Sequence, residues 1–287
     1  AVYISSLGRV YITPVEKFLA KVVIKVKQKI RRLVTLVLSF VMLLSLVIMM
    51  KEFLQMTCGS EYRYSQALSI FAGATLFLLV FLYNGFNLPG RFIILAMVPV
   101  FVLMINSLYL KDKKDFHKFA NLYTSILYIA VPWSLFNFAV FSSASGFNGL
   151  LLLSFFAIVW ASDVGAYIFG ISLGQKYGRK LFPSVSPKKS WIGFWGGMAM
   201  AIALAVGLHY LGMLPFDLPH CIAISVLLNV TGVYGDLIES QWKRHYEVKD
   251  SGNIIPGHGG LLDRFDSALI AIPIGIIYLV VWNVLFV

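Results

Sequence analysis

Asp236, Asp263 and Asp266 stand close together in the chain, interleaved with Lys243, Arg244, Lys249 and Arg264 and separated by the run Pro256-Gly257-His258-Gly259-Gly260. Three carboxylates offer the hard oxygen ligands that Mg²⁺ takes. Gly257, Gly259 and Gly260 let the backbone approach a ligand closely and adopt positive φ, which is how phosphates are cradled. The surrounding cations suit a substrate with several phosphates, because metal and cations together neutralise the charge that develops in phosphoryl-type transfer. These residue types at these spacings therefore read as Mg²⁺-dependent chemistry on phosphates.

Two further groups belong to the same reading. On a helix Asp236, Glu239, Ser240, Lys243 and Glu247 fall at i, i+3, i+4, i+7 and i+11, one polar stripe continuing an apolar helix into a wet, protein-lined cavity. Upstream, Asp163 interrupts the apolar run Ile158-Val-Trp-Ala-Ser-Asp-Val-Gly-Ala-Tyr167. A lone carboxylate at that depth costs about 2.5–3.5 kcal/mol. It is either a partnered structural residue or a contributor to a cation site. Between these lies Ser186-Pro-Lys188-Lys189-Ser-Trp191, where a Pro and Ser at the start of a helix expose backbone N–H groups beside two lysines. Taken alone, Lys-Lys before a membrane helix is more often an ordinary topological flank.

The elements that must position these residues are membrane helices. The 287 residues are 59% hydrophobic and only 13% charged, where a soluble domain is nearer a quarter charged. Windows of about 20 apolar residues, the length that crosses a ~30 Å hydrocarbon core, occur near 33–50, 67–83, 92–110, 121–141, 149–172, 190–212, 219–238 and 267–287. The expected fold is all-α, a polytopic transmembrane bundle of eight spans, with seven to nine as the range. Lysines at 17, 21, 25, 27 and 29 interleave with Val22, Val23, Ile24 and Val26, which reads as a basic interfacial segment. No removable signal peptide is expected at the first residues. Cys58 and Cys221 stand alone, without a metal or disulfide spacing.

The net charge of +11 gathers in loops, so it reads as topology, with no nucleic-acid partner expected. Lys111, Lys113, Lys114 and Lys118, then 176–189, then 243–264 mark three cytoplasmic loops, while the turns 142–148 and 213–218 lack Lys and Arg. The alternation holds from residue 110 onward and conflicts with the basic segment 17–32. Residues 1–150 are expected to be a transmembrane scaffold and 151–287 the catalytic part, with a polar cavity facing the cytoplasm from an integral membrane protein, in the plasma or inner membrane if the source is bacterial.

Residues 240–266, Ser-Gln-Trp-Lys-Arg-His-Tyr-Glu-Val-Lys-Asp-Ser-Gly-Asn-Ile-Ile-Pro-Gly-His-Gly-Gly-Leu-Leu-Asp-Arg-Phe-Asp, closely resemble the signature of the phosphatidate cytidylyltransferases, or CDP-diacylglycerol synthases. Asp163-Val-Gly-Ala-Tyr167 and Ser186-Pro-Lys-Lys-Ser-Trp191 resemble the same family in the same order, so the likeness covers about 155–287. Two positions depart from it. Trp242 replaces an aliphatic residue or Phe, and Ile192 replaces a Glu or Gln.

The resemblance implies that a phosphate oxygen of phosphatidic acid attacks the α-phosphorus of CTP, giving CDP-diacylglycerol and pyrophosphate. It implies catalytic roles for Asp236, Asp263, Asp266, Lys243 and Arg264, with the three aspartates holding Mg²⁺; a second, monovalent cation and a homodimer are left open. Substrate contacts are expected from Asp163, Ser186, Lys188, Lys189, Ser240, Arg244, Lys249, Asp250, His258, Gly259 and Gly260. Two rivals are weighed against it. A CTP-dependent polyprenol kinase would share metal and nucleotide but move the γ-phosphate. A transporter of a phosphorylated anion is disfavoured because the polar motifs crowd into one half instead of repeating.

Overall fold

The computed structural model describes residues 3–4, 10–11, 14–109, 116–141, 147–254, 257 and 259–282. His258, Lys111, Lys113, Lys114 and most of the 142–148 turn lie outside the described residues. The chain forms two compact units, Ala1–Met42 and Leu43–Val287. In the first, a two-residue antiparallel ribbon, β1 (Tyr3–Ile4) with β2 (Val10–Tyr11), precedes the start of α1 (Pro14–Cys58). The lysine-studded stretch expected to be an interfacial segment is a regular part of this helix.

The second unit begins with the remainder of α1. It continues through α2 (Arg63–Phe86), α3 (Met97–Asn106), α4 (Phe116–Ser125), α5 (Val131–Val140), α6 (Leu150–Phe169), α7 (Trp191–Tyr210), α8 (Leu218–His245) and α9 (Leu262–Val281). A π-helical turn, Ile126–Ala130, joins α4 to α5, and another, Gly170–Gly174, ends α6. Among the described residues eight helical segments are long and apolar enough to cross a bilayer, as expected: Lys21–Cys58, Arg63–Phe86, Gly90–Tyr109, Lys118–Val140, Leu150–Tyr177, Trp191–Tyr210, Leu218–His245 and Leu262–Val281. The chain is a multi-pass membrane protein. Cys58 and Cys221 are free and buried, in keeping with their isolated spacing.

Close helix packing in the second unit depends on glycine. A Cβ on Gly193 would meet the Ala166 carbonyl at 2.9 Å, and one on Gly197 would meet the Ser162 carbonyl at 2.8 Å, so α7 lies backbone-to-backbone on α6. Small residues serve this purpose in membranes, where association relies on van der Waals contact because lipid is as apolar as Leu. Gly235 does the same between α8 and α9, its missing Cβ leaving 2.6 Å to the Asp266 carbonyl. Phe265 anchors the start of α9 edge-on against Trp133 at 5.1 Å and Phe156 at 5.7 Å. Aromatic pairs of this geometry are worth about 0.5–1.5 kcal/mol each.

Residues 180–190 are not a simple approach to a helix. They form an antiparallel hairpin, β3 (Lys180–Phe182) with β4 (Ser186–Ser190), broken by a register shift between Lys180 and Phe182. Pro187 starts no helix. Ser190 caps α7 instead, its Oγ accepting from Gly193 N at 3.2 Å. Gln175 braces the hairpin, donating to the Lys188 carbonyl at 3.1 Å and accepting from Lys180 Nζ at 2.9 Å.

Candidate active site

A cavity of about 440 Å³ opens among α6, the Gly170–Gly174 turn, the hairpin, α7 and α8. Asp163, Lys188, Lys189, Ser190 and Asp236 supply its polar wall, and Ile171, Leu181, Phe194 and Val233 its apolar one. The tight α6–α7 packing carries the hairpin over Asp163, so Lys189 Nζ reaches Asp236 Oδ2 at 2.5 Å. Ser240, one helical turn on, donates to Asp236 Oδ1 at 3.2 Å. Asp163 and Asp236 are near enough to interact electrostatically, and Asp266 interacts with both.

The polar stripe of α8 continues into a second cluster. Lys243 Nζ sits between Glu239 Oε2 at 2.5 Å and Asp263 Oδ1 at 2.7 Å. The other oxygen of Asp263 accepts from Ser251 N and Oγ, both at 2.9 Å, and from Gly260 N at 2.8 Å. Asp266 accepts from the Ser267 backbone at 2.6 Å. Glu239 is fully buried, yet its Oε1 has no hydrogen-bond partner among the described residues; the same holds for the buried hydroxyl of Tyr128 on the Ile126–Ala130 turn. A charge feels its neighbours strongly at such depth.

The expected site residues thus divide into three groups. Asp163, Lys188, Lys189 and Asp236 line the cavity, with Ser240 bonded to Asp236. Lys243, Asp263 and Gly260 form the adjoining cluster with Asp266 close by, and Gly259 takes φ +83 with Asp250 and Asp263 packed against its Cα. Ser186 lies at the far end of β4, paired with Phe182, while Arg244, Lys249, Asp250 and Arg264 are exposed around the rim. Among the described residues no three His, Cys, Asp or Glu side chains are gathered at metal-holding range. Asp236 and Asp263 each sit on a lysine of their own.

The residues still fit a divalent cation. Asp163, Asp236, Glu239, Asp263 and Asp266 are five carboxylates, against which the cavity and the adjoining cluster set three ammonium groups, Lys188, Lys189 and Lys243. That leaves an excess of negative charge and, on fully buried Glu239, a carboxylate oxygen with no partner among the described residues, and every available donor is a hard oxygen.

Four residues of this site went unassigned in the sequence. Glu239 was visible on the stripe without a role. Gln175 and Tyr128 gave no signal. Glu52 did: it is a carboxylate within an apolar helix, 3% exposed, whose two oxygens accept from Leu261 N at 3.0 Å and Leu262 N at 2.8 Å. Ending the first span at residue 50 put Glu52 in a loop, where a carboxylate raises no question. The helix runs on to Cys58.

The sequence pattern of the cytidylyltransferase family matches residues 19–282, nearly the whole chain. The chain belongs to the cytidylyltransferase family. Among relatives, the phosphatidate cytidylyltransferase of Bacillus subtilis (strain 168) is 38% identical over 200 residues, 69% of this chain and 72% of that protein. Those of Staphylococcus haemolyticus and Staphylococcus epidermidis are 35% and 36% identical over 175 residues, 61% of this chain and 64% of theirs, slightly under two thirds of the staphylococcal length. Membership makes the chain a nucleotidyltransferase, consistent with a divalent metal in its chemistry.

Proposed function

We propose that the chain transfers a cytidylyl group from CTP to phosphatidate, releasing pyrophosphate and leaving CDP-diacylglycerol in the membrane. The observation that carries this reading is the cavity that joins Lys188, Lys189, Asp163 and Asp236 to an apolar wall. A phosphorylated lipid needs both surfaces at once. Its acyl chains would lose roughly 0.8 kcal/mol per CH₂ on leaving hydrocarbon, so its phosphate must be met at the membrane's edge. The exposed faces of Tyr167, Ile171, Trp191 and Trp195 beside the cavity suit a lateral approach from the bilayer.

Lys189 and Lys243 stand closest to the carboxylates and are the groups best placed to neutralise phosphate charge. Phosphatidate is already ionised near neutral pH, so no side chain need remove a proton from the nucleophile. Asp236, Asp263 and Asp266 would hold Mg²⁺. When bound, Mg²⁺ acts as Lewis acid and template for the triphosphate. Ser251 and the Gly260 amide orient Asp263, and Ser240 orients Asp236. Arg244, Lys249 and Arg264 on the rim draw the nucleotide in.

The cytoplasm is the side from which CTP arrives. Support comes from charge: in the second unit, the helix ends that carry the site also carry Arg63, Lys118, the cations of 176–189 and those of 243–264, whereas at the opposite ends Arg91 stands alone among the described residues. In domain terms, residues 151–287 carry the chemistry and those before 150 frame it.

The deciding experiment incubates purified protein with labelled CTP and phosphatidate in mixed micelles. Labelled CDP-lipid with stoichiometric pyrophosphate is expected. Phosphorylated lipid with free CDP would make the chain a kinase and overturn the proposal.

A further inference from the structure

We infer that Glu52 is a positioning residue for the site: a carboxylate from the first span holds the start of α9, and through it the loop that orients Asp263 and Lys243. The first two amides of a helix have no partner within it, and Leu261, at the N-cap of α9, supplies no side-chain acceptor. Glu52 takes that place from 209 and 210 residues away, its two oxygens accepting one amide each. A negative charge there is also favoured by the helix dipole.

The loop is shaped to receive it. A Cβ on Gly252 would stand 2.6 Å from Glu52 Oε1, and one on Gly260 would stand 2.7 Å from Glu52 Oε2. These two glycines bracket the carboxylate, and at Gly260 the Ser251 hydroxyl, 2.5 Å from the same point, closes the remaining space. Gly260 and Ser251, next to the points that Glu52 fixes, are the residues whose N–H groups hold Asp263 Oδ2. Asp263 in turn holds Lys243 through its other oxygen. The adjacent Phe53 packs edge-on against Trp242 at 5.2 Å, tying the same turn of α1 to α8. Glu52 touches no reacting atom in this arrangement. It sets where those that do are found.

This inference rests on the reading that residues 236–266 carry out cytidylyl transfer, so its test needs one arm that does not depend on turnover. Glu52→Ala, Glu52→Gln and Glu52→Asp are compared with Leu54→Ala, which opens a void at a fully buried position of the same helix and leaves the carboxylate in place. Amide exchange is measured across 250–262 in the full-length protein in detergent. Turnover is measured as kcat, KM for CTP and the Mg²⁺ concentration giving half-maximal rate.

Glu52→Ala is expected to lose protection at the Leu261 and Leu262 amides, to lower kcat about ten- to hundredfold as supporting residues do, and to raise the Mg²⁺ requirement. Glu52→Gln, which keeps one acceptor, should fall between. Leu54→Ala should lower yield and thermal stability while its folded fraction keeps the wild-type Mg²⁺ requirement and loop protection. Wild-type protection and kcat in Glu52→Ala would overturn the inference. So would a loss in Glu52→Ala that tracks only the folded fraction, as in Leu54→Ala. If wild type makes no CDP-lipid yet Glu52→Ala still frees the loop, the positioning holds and the assignment of chemistry fails.

Discussion

The Lys189–Asp236 pair offers the sharpest test of how the cavity works, through the variants Lys189→Met, Asp236→Asn and their combination. At 2.5 Å the Coulomb attraction is about 1.7 kcal/mol in bulk water and about 6.6 kcal/mol at an effective dielectric of about 20. The side chains are 25% and 33% exposed, which shifts the value toward the lower end, and desolvation of both charges offsets part of the rest. A net coupling of about 1–3 kcal/mol follows. Each single variant leaves a partly buried charge alone, whereas the double variant leaves none, so the double should be more stable than the sum of the singles by that amount. Catalysis should behave differently. In the proposed mechanism Lys189 meets the phosphates and Asp236 the cation, so all three variants should lose about 10²–10³-fold in kcat, the scale for removing one preorganised electrostatic contact. Unfolding midpoints in detergent and labelled CDP-lipid formation measure the two effects separately. Additive stabilities, or a double variant whose kcat recovers with its stability, would show that the pair is structural and that the cavity is not where phosphate is met.

Asp263→Asn should purify but lose turnover, because the amide cannot accept from Lys243, Ser251 and Gly260 together; retention of even a tenth of the wild-type rate would remove Asp263 from the catalytic set. Tyr128→Phe deletes a buried hydroxyl that has no partner among the described residues, so stability should be unchanged or rise by up to about 1 kcal/mol, and a clear fall in thermal midpoint would mean that the hydroxyl is bonded in the working enzyme. Single cysteines at 180 and 249 should label from the cytoplasmic side and one at 215 from the other; labelling of 249 from outside would separate the site from CTP.

The sequence was informative where membrane physics makes signals strong. Apolar windows of span length marked eight helices, because each apolar window must satisfy its backbone internally and only a helix does so. Asp163, Asp236 and the lysines stood out because ionisable groups within apolar runs are costly. What stayed hidden was tertiary pairing. Nothing in Ser186-Pro-Lys-Lys-Ser-Trp191 announces a hairpin, since its two strands are only three and five residues long and their partner segment carries no alternating pattern. Nothing in the sequence distance between Lys189 and Asp236 announces that they touch. The expected sharing of one metal by Asp236 and Asp263 came from residue type, which says nothing about the lysine that each carboxylate meets first.

Glu52 shows why a division of this chain into scaffold and catalytic halves is too coarse to explain its glycines. Read by sequence alone, Gly260 belongs to a phosphate cradle, because glycine-rich loops often are one. In the structure Gly252 is small because a carboxylate from the first span occupies the space that its side chain would fill, and Gly260 because that carboxylate and the Ser251 hydroxyl share the space beside it. Only Gly257 and Gly259 keep the positive φ that no β-carbon favours. The two pairs therefore answer to different substitutions. Alanine at 252 collides with Glu52, and alanine at 260 with Ser251 and Glu52, and either should disturb the start of α9, while alanine at 257 meets no atom of the described residues within 4 Å and strains the backbone. Gly252→Ala, whose three nearest clashes are all with Glu52, should consequently be milder when combined with Glu52→Ala than with Glu52 in place. The loop's shape would then be set by the first span as much as by its own sequence. If the combination is worse than either change alone, Gly252 serves the ligand directly and Glu52 only happens to lie beside it.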